Sequence, residues 1–358
     1  MNKKQAKVNT ANPKMKVLGI CGEYNAVSWY RMMNPVWRYG GDLTFKVGTD
    51  KDGEYDERQV FKSPGLKKAI EEHGDAFFKA YDLVIVKYVA TKRDAQSIIA
   101  WKKLAPNTKI YMDVDDNVFE IPEGNSAGSK WGEEQQSIYA FLCRIVDGIT
   151  CSTQPLADYF RMLNKNVYVI PNMVNSERWK FPRVKDNDQV VIGWTYSTTH
   201  TPDVPVLGNT FKRLREKYGD KIRIEATGDV VDTIKVVGCP FAMLPQWMRE
   251  KNWDISIGAL ADNEFNKGKS NIKWLEATMN ESVFVGSRVY PYANSIKHEK
   301  TGFLASTEDE WFDILCRLID SKQLREEVVK NAREVVLKDH DIKKHNPLSI
   351  LEAGILED

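Results

Sequence analysis

The chain has 358 residues, enough for two domains of ordinary size, and 42% of them are hydrophobic and 11% aromatic, so each domain can bury a core. Lys and Arg number 51 against 50 Asp and Glu, a balance that argues against a protein built to coat nucleic acid. No apolar run approaches the ~20 residues that span a bilayer, and the polar, basic start MNKKQAKVNTANPKMK lacks the apolar centre of a secretory signal.

Residues 1–14 are therefore expected to form a disordered lead-in. Cys21, Cys143, Cys151, Cys239 and Cys316 are scattered and mostly lie in apolar patterns, so they read as reduced core thiols of a cytoplasmic protein. Neither they nor the isolated histidines have metal-site spacing.

In chain order, Lys16–Gly22 (KVLGICG) predicts a buried strand. A loop follows to Ser28, then a helical run from Trp29 to Tyr39 interrupted at Pro35. Open α/β sheets place ligands where a strand turns into a helix, so Arg31 either reaches into a cleft or is an ordinary surface arginine. Leu43–Val47, Asp82–Tyr88 and Lys109–Asp113 read as strands, separated by helices over Pro64–Ala80 and Lys92–Leu104. The third strand runs into Asp113-Val114-Asp115-Asp116. A helix over Glu133–Val146, with Ile138, Phe141, Leu142 and Ile145 on one face, leads to a strand at Gly148–Ser152. A helix over Pro155–Leu163 and a strand at Val167–Ile170 close the first half. This alternation argues a doubly wound parallel sheet.

Asn175–Gln189 is polar, contains Pro182 and breaks the rhythm. The expected division is a first domain over 15–180, a linker over 181–189, a second domain over 190–338, and a tail over 339–358 that can pack back on the first. The second domain opens with a strand at Val190–Trp194 and a hydroxyl-rich turn, TYSTTHTP, that offers Ser197, Thr198 and His200 to a phosphate. A helix to Tyr218, a strand at Lys221–Ala226 and a short helix at Pro245–Glu250 come next.

The most informative stretch is Phe265–Arg288 (FNKGKSNIKWLEATMNESVFVGSR), which follows the alternating strand Asp254–Leu260. A loop holding Asn266, Lys267, Gly268 and Lys269 leads to Ser270, a good helix N-cap. Ile272, Leu275 and Met279 then recur at helical spacing before a strand at Val283–Val285. Free amides, the positive end of a helix dipole and adjacent lysines make an anion site, most naturally for phosphate. Lys273 and Glu276 lie one turn inside on the polar side, where a carboxylate can accept from a ribose diol. The plainer reading is a solvated loop with surface lysines. Trp311–Ile319 and Gln323–Leu337 are the closing helices.

Several of these segments resemble GT-B glycosyltransferases of the GT4-like group: WDISIGALADNEFNKGKSNIKWLEATM, IGWTYSTTHTPD, VIPNMVNSERW, SWYR, DVDDN and GITCSTQPLADYF. The resemblance implies two Rossmann-like, doubly wound parallel-sheet domains facing an interdomain cleft. It implies a nucleotide-sugar donor on the second domain, an acceptor on the first, retention at the anomeric carbon and no obligatory metal or cofactor. By position, Glu276 matches the ribose-holding glutamate, and Ser270, Asn271 and Ile272 match the cap that meets the diphosphate. The family's earlier glutamate is replaced by Gly268, and its arginine after the first strand of the second domain is absent. Lys269 and Lys273 are candidates to supply that cation, with Asn266 beside them. Ser28, Trp29, Arg31, Asp115 and Asp116 are the acceptor-side candidates.

The expected function is thus metal-independent hexosyl transfer from a UDP- or GDP-sugar to a glycan, a lipid-linked sugar, a small molecule or a modified nucleic-acid base. Rival readings are a nucleotide-sugar epimerase of the same architecture and a non-catalytic nucleotide-sugar or glycan binder. Asp113-Val114-Asp115 has the D-x-D form that holds a divalent cation in other sugar transferases. The expectation here is no metal, because the lysines already supply positive charge.

Overall fold

The computed structural model describes residues 15–22, 24–45, 64–87, 89–182 and 188–356. The expected lead-in, residues 183–187 of the linker, and Lys46, Val47 and Tyr88 at the ends of two expected strands lie outside the described residues.

Two six-stranded sheets organise the chain. The first contains β1 (Val17–Cys21), β2 (Asp42–Phe45), β3 (Leu83–Val86), β4 (Lys109–Val114), β5 (Gly148–Cys151) and β6 (Val167–Val169), in the order β2-β1-β3-β4-β5-β6. The second contains β7 (Val190–Trp194), β8 (Ile222–Ala226), β9 (Ile234–Lys235), β10 (Ile255–Gly258), β11 (Val283–Ser287) and β12 (Phe303–Ala305), in the order β12-β11-β10-β7-β8-β9. Every pairing is parallel. Parallel strands need crossovers and are covered on both faces, which is why β1, β3, β5, β10 and β11 are buried along their whole length. Strand order reverses between β1 and β3 in one sheet and between β7 and β10 in the other. Loops leaving the carboxyl ends at such points diverge and leave a crevice.

At the first of these points the chain enters a helix made of three joined pieces, Ala26–Ser28, the π turn Trp29–Met33, and Asn34–Tyr39. The expected break at Pro35 does not occur. Proline has no N–H to give, and the widened turn just before it, with the Asn34 N–H bonded to the Trp29 carbonyl, absorbs the mismatch. The helix over Glu133–Ile145 buries Tyr139, Leu142 and Cys143 and leaves Phe141 exposed, so its core face is rotated from the expected one.

At the second point β10 is followed by a short helix, Glu264–Lys267, where a loop was expected, and then by Ile272–Met279. Asn271 occupies the N-cap, not Ser270, and no side chain caps the helix. Gly193 in β7 is obligatory for a packing reason: an added Cβ would sit 1.8 Å from the Trp253 ring.

Each sheet has its own apolar core. The long helix Lys322–Asp339 ends near an isolated bridge between Val174 and Asp341, which leads the chain back across to the first half. There Leu348, Leu351 and Ile355 pack with Met15, Val17 and Tyr39. The Tyr39 hydroxyl donates to Glu352 at 2.7 Å, and Arg38 Nε donates to the His345 carbonyl at 2.8 Å.

Candidate active site

The loops after β7 and β10 are stitched to each other at the switch point of the second sheet. Asp203 is the hub. One oxygen accepts from the Ala261 N–H at 2.8 Å and from Asn266 Nδ2 at 2.7 Å; the other pairs with His200 Nδ1 at 2.8 Å. Asn266 is 1% exposed, and its Oδ1 has no partner among the described residues. Lys273 points back across the crevice and donates to the carbonyl and hydroxyl of Thr195, the residue after β7. Glu276, one turn on, is 7% exposed. Both side chains thus turn inward from the side of the helix expected to be polar.

Across from them stand the carboxyl ends of the first sheet, and the two sets meet. Tyr30 donates its hydroxyl to Glu276 Oε1 at 2.9 Å. Lys269 Nζ lies 3.1 Å from Asp116 Oδ1 and 4.4 Å from the Phe265 ring centre. Asn172 Nδ2 donates to Ser270 Oγ at 2.9 Å, and Thr153 Oγ1 donates to the Gly268 carbonyl at 2.7 Å. Ser126 and Thr198 share a hydroxyl contact at 2.8 Å. A void of about 10 Å³, the room of a single water, lies behind Lys273 and Glu276 within the second half, against Met248, Trp253, Ile257 and Phe284. A larger one, about 790 Å³, opens at the other end of the second sheet, by Val190, Lys221, Asp254 and Glu281 at the amino ends of β7, β8, β10 and β11.

Behind the seam lies a buried charge cluster. Arg31 grips Asp113 through Nε at 3.2 Å and Nη2 at 2.7 Å, and Lys87 lies 3.1 Å from Asp113 and 2.7 Å from Asp115. Arg31 also donates to the Ile170 carbonyl and to Asn172, so Asn172 links this cluster to Ser270. Burial raises the Asp113 carboxyl, but Arg31 and Lys87 outweigh it and hold its pKa below the ordinary carboxylate value.

In the crevice, burial dominates. It pushes Lys273 down to about 8, with neighbouring Lys269 adding and Glu276 opposing. Burial also raises Glu276, against the Tyr30 hydrogen bond and the charges of Lys273 and Arg178. His200 falls to about 4 through burial and the nearby lysines, despite Asp203, so its imidazole is neutral at pH 7.

The structure therefore brings Lys269, Ser270, Lys273, Glu276, Asn266 and His200 to one switch point, with Gly268, Asn271 and Ile272 in the same turn. Ser197 and Thr198 are exposed on the adjoining turn. Lys267 faces outward to Glu264 at 2.7 Å. Asp115 and Asp116 do lie on the opposing side, but Arg31 does not line an opening: its side chain is 1% exposed and committed to Asp113. Ser28 is buried with its Oγ unpartnered among the described residues. Trp29 is 8% exposed and lies under the Arg178 guanidinium, 4.4 Å from its ring centre. Sequence reasoning missed Asp203, Thr195, Asn172 and the hydrogen bond of Tyr30. One signal was available: Lys87 in the apolar run DLVIVKY announces a buried partner, since lysine is almost never buried unpaired.

Among the described residues no group of three or more His, Cys, Asp and Glu side chains is placed to hold a metal ion. No described helix is long and apolar enough to cross a membrane.

Two parallel sheets of this order, joined at their carboxyl ends, define a two-domain Rossmann-like protein of the GT-B glycosyltransferase fold. HepE of Anabaena, solved with UDP-glucose, matches with a TM-score of 0.65 and 12% identity over 95% of this chain and all of that one. A glycosyltransferase from Rickettsia africae matches at 0.59, with 13% identity over 96% of this chain and 99% of that one. Sucrose-phosphate synthase of Thermosynechococcus elongatus matches at 0.58, with 12% identity over 95% and 98%. The chain matches no protein-family model and no curated protein by sequence.

Proposed function

We propose that the protein is a glycosyltransferase that moves a sugar from a UDP-sugar to a glycan hydroxyl, with retention of anomeric configuration and without a bound metal. The observation that carries this reading is the convergence of Lys269, Lys273 and Glu276 at the β7/β10 switch point, opposite the first sheet. HepE, which has the same fold, was solved with UDP-glucose, and this favours uridine and a hexose. We take residues 15–180 as the acceptor half, 181–189 as the linker, 190–338 as the donor half and 339–358 as a strap on the first. The free thiols suit the cytoplasm.

Breaking the sugar C1–O bond leaves negative charge on the diphosphate. Lys269, Lys273 and the amides opening the helix Ile272–Met279 stabilise it as it forms. Glu276 holds the ribose diol. Asn266 Oδ1, Ser197 and Thr198 are further donor contacts, and His200, fixed by Asp203, shapes their turn. The acceptor hydroxyl, approaching past Asp115 and Asp116, bonds to C1 on the face the diphosphate leaves. Its proton passes to the departing diphosphate oxygen, so no separate protein base is needed.

The test is thermal unfolding with UDP, UDP-glucose, GDP and inorganic pyrophosphate, followed by donor turnover in excess EDTA. Ligand at ~100 times its dissociation constant adds roughly 2.7 kcal/mol to stability. Stabilisation by UDP and sugar release persisting in EDTA are expected. No stabilisation by any nucleotide overturns the proposal. Turnover of the donor to a second nucleotide sugar without acceptor makes the protein an epimerase, and binding without turnover makes it a carrier.

A further inference from the structure

Several candidate donor contacts of the second half are already occupied by side chains of the first, and two of the occupants have the chemistry of the donor. Lys269 holds an anionic oxygen of Asp116 at 3.1 Å, where a phosphate oxygen would go. Glu276 receives a hydroxyl from Tyr30 at 2.9 Å, where a ribose hydroxyl would go. Both pairs follow from the charges and shapes around them. The run Asp113-Val114-Asp115-Asp116 carries three carboxylates, and the buried cations of its own half that contact it are Arg31 and Lys87, which take Asp113 and Asp115. Asp116 finds its cation across the seam. Tyr30 packs edge-on against Phe241, 5.8 Å between ring centres, a contact that phenylalanine would keep; its hydroxyl serves Glu276. While both pairs stand, Lys269 Nζ and Glu276 Oε1 are taken, and a donor must displace Asp116 and Tyr30 to reach them.

We propose that Asp116 and Tyr30 are built-in competitors for the donor, the carboxylate standing in for a phosphate on Lys269 and the phenol for a ribose hydroxyl on Glu276, so that donor binds by exchange and opens the seam. This rests on the donor-site assignment above. Removing a stand-in leaves its cation or carboxylate waiting for the donor and should tighten binding, the reverse of what loss of a binding residue does.

Calorimetric titration of the full chain with UDP and with pyrophosphate separates the cases. Asp116→Asn should tighten both by about five-fold or more, the worth of one ordinary hydrogen bond. Tyr30→Phe should tighten UDP by a similar factor and leave pyrophosphate unchanged. Lys269→Ala should weaken both ligands. Circular dichroism checks that each variant is folded. Unchanged or weaker UDP binding in folded Asp116→Asn and Tyr30→Phe, with Lys269→Ala still weakened, overturns the competitor role and leaves the donor site standing. Unchanged UDP affinity in both Lys269→Ala and Glu276→Gln removes the donor site and the competitors together.

Discussion

Replacing Asp113 by asparagine should destabilise the protein heavily and have nothing to do with metal. The Asp113 side chain is 1% exposed and takes two contacts from Arg31, one from Lys87 at 3.1 Å and one from the Thr150 hydroxyl at 2.8 Å. Asparagine has the same shape, but its NH₂ would face a cation, and Arg31 would lose the one carboxylate it touches. Breaking a buried ion pair by removing one charge typically costs about 3–5 kcal/mol, a large share of the ~5–15 kcal/mol that holds a domain folded. Lys87 keeps Asp115 at 2.7 Å and Arg31 keeps the Ile170 and Asn172 oxygens, which places the expected loss near the lower figure, about 3 kcal/mol. Urea unfolding followed by the fluorescence of the 10 tryptophans measures it. The sign of the pH dependence is fixed. A carboxyl whose folded pKa is depressed contributes stability above its ordinary value of 3.8, and that contribution disappears as pH falls through the folded value. The gap between wild type and variant should therefore be full at neutral pH and narrow below about pH 3.8. A loss under about 0.5 kcal/mol, the size of an ordinary surface substitution, would refute the argument. So would stabilisation of the wild type by Mn²⁺ that Asp113→Asn abolishes, because the D-x-D run would then be a metal site.

Lys273, lowered to about 8, should give diphosphate binding an alkaline limb with a midpoint near that pH, and Lys273→Arg should carry the limb beyond the accessible range; pyrophosphate titrations from pH 6 to 10 test this. Glu276→Gln should weaken UDP by about ten-fold while sparing pyrophosphate, which calorimetry reads directly. Gly268→Ala should cost about 1–3 kcal/mol by overpacking, since the added Cβ would stand 3.0 Å from Leu156; Leu156→Ala in the same chain should recover part of it in urea unfolding.

Much of the fold was legible because its signals are local. β7 falls on the residues expected from its apolar run, as does the helix Lys92–Leu104, whose Thr91 cap and Asp94 form a capping box. The errors come from tertiary packing. Phe141 fits the helical period as well as Tyr139 does, and the neighbouring elements decide which face turns in. Pro35 reads as a breaker because a π turn has no sequence signature. Ser270 and Asn271 are equally good caps by type; Asn172 engages the Ser270 hydroxyl from the other half and Asn271 takes the position. In the site, the lysines and Glu276 could be picked out because they follow a strand and open a helix. Their burial could not, because it is produced by residues more than 100 positions away, such as Tyr30 and Asp116.

The same distance explains why Gly268 belongs where a glutamate is commoner among the proteins this chain resembles. A Cβ added there would stand 3.0 Å from Leu156 Cδ2 of the first half, while the Gly268 carbonyl accepts from Thr153. A glutamate there would crowd the Leu156 side chain. Glycine lets the two backbones approach, and that approach brings Lys269 within reach of Asp116 and Ser270 within reach of Asn172. With glycine at 268 the turn carries no negative charge at that position next to its two lysines. The carboxylate that does face Lys269 comes from the opposite half, whereas a glutamate at 268 would sit on the same turn.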